Sequence, residues 1–199
     1  MRFILAIILW LATASAFAQQ DFSADIVNLN TTSPFRTTIF ATRNKLRFQQ
    51  EHNGQANSIM LVNLAALTSV VLIPQQHMYV KESKPQIPGQ AIAFFQPVDV
   101  ANACAVWHKM SELKGQCRNL GREAVNGRDT VKYENIAADK SANFIWIDTR
   151  LHFPVKWEGP AGTSELRNIQ EARQPAELFE IPAGYKKRSF GAPASKAQP

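Results

Sequence analysis

Apolar and polar residues alternate along most of the chain in short runs bounded by turn formers, the pattern of antiparallel strands with one side buried. Phe22, Ala24 and Ile26 alternate with Ser23, Asp25 and Val27, which predicts a first strand over 21–29. After the turn formers Thr31-Thr32-Ser33-Pro34, a hairpin is expected from 36–41 and 45–50, broken at Thr42-Arg43-Asn44. In its second arm Leu46 and Phe48 alternate with Lys45, Arg47 and Gln49, so one side turns inward and the other to water. Strands follow over 58–64, 67–73 and 77–81, set apart by the turn His52-Asn53-Gly54-Gln55 and by Pro74-Gln75-Gln76. The segment 83–90 carries Pro85, Pro88 and Gly89 and reads as a loop.

The period then changes. Ala103, Val106, Trp107 and Met110 recur at helical spacing from Asp99, a suitable N-cap, to about Leu113, and Gly115 can end the helix. Strands return over 117–125, 130–137, 143–147, 151–157 and 163–172, the first two joined through Asn126-Gly127, a dipeptide suited to a tight hairpin. Phe144 and Trp146 fall on one face of their strand, Ile145 and Ile147 on the other. Pro175 opens a helical turn through Phe179. About ten strands and one principal helix describe a mostly β, α+β domain over 19–190. The tail 191–199, rich in Ala, Pro, Ser and Lys, is expected to be disordered.

The first eighteen residues change the setting of this domain. Arg2, the apolar run Phe3 to Leu11 and the small residues Ala12 to Ala18, ending in an A-x-A pattern, read as a secretory signal peptide cut before Gln19. The run is about half the ~20 residues a membrane helix needs, and no later stretch is long enough to span, so a soluble periplasmic protein is expected. Without Arg2 the formal +6 falls to about +5. This charge is spread out, densest at Lys186-Lys187-Arg188, and lacks the interleaving with aromatics that marks nucleic-acid binding.

The two cysteines, Cys104 and Cys117, are expected to pair as a disulfide in an oxidising compartment. The competing reading, a metal site with His108, gives a C-x3-H-x8-C spacing that matches no standard zinc pattern and offers no obvious fourth ligand. No cofactor motif occurs: there is no G-x-S-x-G elbow, no glycine-rich phosphate loop and no dinucleotide fingerprint. His52, His77, His108 and His152 stand alone along the chain. Glu165, Glu171, Glu177 and Glu180 are carboxylates that nothing in the sequence aims at a common point. A non-enzymatic protein is the expectation.

A longer series suggests a family. Cys117 to Glu123 leads to Val125-Asn126-Gly127-Arg128, to Phe144-Ile145-Trp146-Ile147-Asp148, to Leu151-His152-Phe153-Pro154-Val155, and closes on Glu165-Leu166-Arg167-Asn168-Ile169 and Leu178-Phe179-Glu180-Ile181-Pro182-Ala183-Gly184-Tyr185. With Asp21-Phe22-Ser23-Ala24-Asp25, it resembles uncharacterised periplasmic proteins of the LolA/LolB-like superfamily, whose best-known members carry lipoproteins. The resemblance implies a strongly curved antiparallel sheet, a half-open barrel, with helices across its concave side and an apolar cavity between. Strands 58–64 and 67–73 are apolar on both faces, more than a one-sided sheet needs. Such a cavity would therefore be lined by Ile59, Leu61, Val70, Leu72, Val106, Trp107, Met110 and Trp146, and would take a hydrophobic small molecule or acyl chains. The alternative is an envelope module that binds another protein through its sheet; a periplasmic enzyme comes third.

Overall fold

The structure, a computed structural model, describes residues 20–82, 95–110, 116–136 and 140–188. The expected signal peptide, the Pro-rich loop, the helix stop at Gly115 and the expected disordered tail lie outside these residues.

Twelve strands form one sheet: β1 (Phe22–Asn28), β2 (Arg36–Ala41), β3 (Lys45–His52), β4 (Gln55–Asn63), β5 (Thr68–Ile73), β6 (Met78–Glu82), β7 (Gln116–Val125), β8 (Arg128–Ile136), β9 (Ala142–Asp148), β10 (Phe153–Gly159), β11 (Gly162–Glu171) and β12 (Lys186–Lys187). Their order is β12-β6-β5-β4-β3-β2-β1-β11-β10-β9-β8-β7. The sheet is a curved half-open barrel that does not close, with β7 and β12 at its edges. The α-helix α1 (Ala103–Met110) lies between β6 and β7 in sequence, and short 3-10 turns occupy Pro74–Gln76 and Ala176–Phe179.

Local chemistry sets much of this. Asn53 and Gly54 have φ of 50° and 75°, and Asn126 and Gly127 have 49° and 76°. Two left-handed residues in succession make the turn whose twist matches that of the flanking strands, so the Asn-Gly pairs join β3 to β4 and β7 to β8 as tight hairpins. The helix starts later than the pattern predicts. The Asp99 carboxylate accepts from the Ala101 N–H (2.9 Å) and the Asn102 amide (3.2 Å), capping a turn that precedes α1.

One face, here the inner face, carries most of the core. Phe22, Ala24, Ile39, Ala41, Leu46 and Val62 pack there with Phe153, Val155 and Leu166. Beside them Val98, Ala103 and Trp107, from α1 and the chain leading into it, meet Val131, Tyr133, Ile145 and Ile147. Trp157 touches both groups, and Phe95 sets its ring edgewise against Trp157 (5.0 Å) and Phe48 (5.5 Å).

The opposite, outer face explains why β4 and β5 are apolar on both sides. Ile59, Leu61 and Leu72 are buried there with Val70, Tyr79 and Tyr185, the last supplied by the C-terminal chain. The Arg47 guanidinium donates to the Leu178 carbonyl (2.9 Å), and β12 pairs in parallel with β6, Lys186 opposite Met78. The segment from Ala176 to Arg188 thus straps that face. Residues that alternation assigns to opposite sides of a strand both find apolar cover, one set in the main core and the other beneath the strap.

Elsewhere on the sheet, side chains are joined by ion pairs. Asp148, 2% exposed, is paired with Arg128, which also reaches Glu171 (2.7 Å), and Arg150 meets the other oxygen of Glu171 (2.6 Å). Glu165 pairs with Arg167 (2.6 Å). These carboxylates, Glu165 and Glu171 among them, are engaged in structure.

Asp25 on β1 accepts from Arg36 (2.9 Å), Thr38 (3.3 Å) and Asn168 (2.7 Å). Burial pushes its carboxyl up, but the hydrogen bonds from Arg36, Asn168 and Thr38, with the charge of Arg36, outweigh this and hold it below the ordinary aspartate value. The unfolded chain therefore binds the proton more readily than the folded one. The stabilisation from Asp25 is complete above the ordinary carboxylate value of about 4 and is lost as pH falls through the folded value. Asp25→Asn should flatten the acid limb of a plot of urea midpoint against pH. An acid limb of unchanged slope in the variant would remove Asp25 from acid unfolding.

Candidate functional site

A cleft of about 650 Å³ opens where the chain leading into α1 passes over the inner side of β7 and β8. Pro97, Val98, Val100, Ala101 and Val131 give it an apolar wall, and Arg43, Asp99, Asn119, Arg122, Thr149 and His152 supply its polar groups. This size, with an apolar wall facing placed polar groups, suits a small molecule that has both an apolar and a polar part.

Each lining group is held by its own local structure. Val131 lies opposite Arg122, and Asn119 opposite Tyr133, in the β7–β8 ladder. The 97–101 segment is pinned by the Val98 N–H to the His152 carbonyl (2.9 Å) and by the Tyr133 hydroxyl, which donates to the Val100 carbonyl (2.6 Å). Burial, with the Asp99 charge adding to it, pushes the Tyr133 phenol above its ordinary value against the opposing bonds from Ala103 and Asn119. Tyr133 therefore stays a neutral donor. The turn carrying Arg43 is closed by the Thr42 N–H to the Lys45 carbonyl (2.9 Å) and the Lys45 N–H to the Thr42 hydroxyl (3.0 Å). Arg122 pairs with Asp129 (2.5 Å), whose carbonyl accepts from the Thr149 N–H (3.0 Å) and hydroxyl (3.1 Å).

The eight residues expected to line a cavity divide among separate places, and none of them is among those lining this cleft. Trp107 lies behind its wall, 1% exposed, its ring 5.5 Å from that of Tyr133 at an interplanar angle of 87°. Val106 packs against the same cluster. Met110 ends α1, and its side chain is outside the described part. Ile59, Leu61, Val70 and Leu72 belong to the outer-face cluster beneath the strap. Trp146 is on the outer face too, 2% exposed, with the ammonium groups of Lys132 and Lys156 at 4.6 and 4.4 Å from its ring. The alternation that separates Trp146 from Ile145 and Ile147 also separates it from Trp107. The lining residues come from three turns and two strands distant in sequence, and no local period marks them.

Cys104 and Cys117 are bonded, Sγ to Sγ at 1.99 Å, which ties α1 to the start of β7. Among the described residues no group of three or more His, Cys, Asp or Glu is placed to hold a metal ion. No helix among them is long and apolar enough to cross a membrane.

No family model matches the chain, and no curated protein matches its sequence. Similar solved structures include an uncharacterized conserved protein from Thermus thermophilus, 9% identical, aligned over 86% of this chain and 91% of its own with a TM-score of 0.55. MucB aligns over 85% of this chain at 16% identity and a TM-score of 0.49; the chain spans 60% of that protein. A LolA superfamily protein from Nitrosomonas europaea aligns over 81% of this chain and 90% of its own, at 11% identity and a TM-score of 0.36. At such identities the likeness concerns architecture alone: the fold is shared with the Thermus thermophilus protein.

Proposed function

We propose that the protein is a non-enzymatic carrier or sensor of lipids or other hydrophobic molecules in the periplasm, and that the cleft beside α1 holds the ligand. The observation that carries this is the cleft itself: an apolar wall of five residues in a space of about 650 Å³, open at the end of a half-barrel. Each methylene moved from water onto such a wall is favoured by about 0.8 kcal/mol, so a short acyl chain suffices for binding. Placement outside the cytoplasm is supported by the signal-peptide pattern and by the Cys104–Cys117 bond, since disulfides persist in oxidising compartments. Native mass spectrometry of protein purified from the cell envelope should show an added mass that organic extraction removes. Protein that carries no such mass and takes up no acyl compound would overturn the reading.

A second reading, a module that holds another envelope protein, is favoured by one feature. β7 is an edge strand of ten residues, nearly all exposed, and among the described residues no strand pairs with its outer side, which suits an added strand. A partner protein captured from envelope extracts, with no lipid bound, would favour it over the carrier.

A further inference from the structure

The cleft holds one cation with no ion-pair partner among the described residues, and that cation names a class of ligand. We propose, resting on the carrier reading above, that it selects single-chain amphiphiles with an anionic head, carboxylate or phosphate, and that Arg43 receives that head. Asp99, the lining carboxylate, is turned onto its own loop: one oxygen accepts from the Ala101 N–H at 2.9 Å and the other from the Asn102 amide at 3.2 Å. Arg122 is matched by Asp129 at 2.5 Å. Arg43 has no ion-pair partner among the described residues, although the turn that holds it is fixed by the Thr42–Lys45 hydrogen bonds. An unmatched guanidinium beside an apolar wall is complementary to a molecule with a greasy tail and an oxyanion, which such a fork can bind through paired N–H donors. The tail lies along Val98, Val100 and Val131, and the head comes to the β2–β3 turn. An uncharged head leaves Arg43 without a partner and forfeits the charge-assisted bonds.

The test compares heads on one tail. Fluorescence titration of the full mature protein with cis-parinaric acid and with its methyl ester should show the acid binding about tenfold more tightly, the worth of a charge-assisted hydrogen bond. Arg43→Gln should remove that gap by weakening the binding of the acid, whereas Arg43→Lys should keep most of it. Because Arg43 is exposed, both variants should fold, which a thermal melt checks. Dodecyl phosphate and dodecanoate, used separately to displace the bound acid, distinguish the two sources of negative charge; displacement by either supports the shared chemistry, and failure of both overturns it. The gap should narrow with added salt. Equal binding of acid and ester to the wild type, or a gap that survives Arg43→Gln, overturns the selection of an anionic head and leaves the carrier reading standing. Binding of neither probe overturns both.

Discussion

Replacing Trp107 by alanine should lower the stability of the folded protein by about 3–5 kcal/mol, the range for truncating a large aromatic in a packed core. The ring is 1% exposed, stands edge-on to Tyr133 and is grouped with Ile145, Ile147 and Val131, so its removal leaves a space that β8 and β9 are too rigidly paired to fill. Urea unfolding should show the midpoint falling with little change in slope, the mark of a change in stability and not in compactness. Trp107→Phe should recover part of the loss by restoring an aromatic face to Tyr133. A loss below about 1 kcal/mol, well under the core range, combined with weaker binding of cis-parinaric acid, would place Trp107 in the wall of an open site instead.

Removing the cross-link should have an effect of similar order. Cys104 and Cys117 are 13 residues apart, and closing a loop of that size in the unfolded chain corresponds to about 3 kcal/mol in the chain-entropy account. The effect should be local as well as global. α1 is anchored at Ala103 and Trp107, which pack in the core, and by the bond to β7. The double variant Cys104→Ser/Cys117→Ser should unfold at lower urea than the oxidised parent and exchange the amide protons of α1 faster. Non-reducing peptide maps should find the two residues linked in protein purified without reductant; free thiols in such protein would contradict the bond.

Much of the sheet is visible in the order of residues because its forces are local. The strand 36–41 coincides with β2, and the two Asn-Gly turns supply the positive φ angles that a two-residue hairpin requires. What stays hidden depends on segments far apart. Lys186–Lys187 reads as a basic cluster, yet it is a strand, because parallel pairing with β6 needs only backbone groups and leaves no apolar period behind. Ile59, Leu61 and Leu72 suggest surplus apolar surface, and only the strap from Ala176 to Arg188, more than a hundred residues later, shows what covers it. Trp146 is a core-like aromatic in sequence, but Lys132 and Lys156 shield it on the outer face. The cleft is the least legible part. Arg43 is a turn residue, Arg122 and Asn119 lie on an exposed strand, and the 97–101 segment has no periodicity, so only the fold brings them to one opening.

The neighbours of β1 carry a further consequence, for how fast the protein folds. β1 lies between β2 and β11, with Ile26 opposite Leu166. Among the long strands this is the one adjacency that does not join consecutive elements; β1 to β6 and β7 to β11 each follow one another across the sheet. The two runs can form as separate meanders from nearby contacts. Their union must wait for a loop spanning most of the chain to close, and that search, weakly dependent on loop length but slow beside hairpin formation, governs the overall rate. For a chain emerging amino end first, from a ribosome or a membrane channel, β1 keeps one edge unpaired until nearly all the remaining residues have followed. That edge is the place where a second unfinished chain can attach, so the interval before β11 arrives is when this protein is most prone to aggregate.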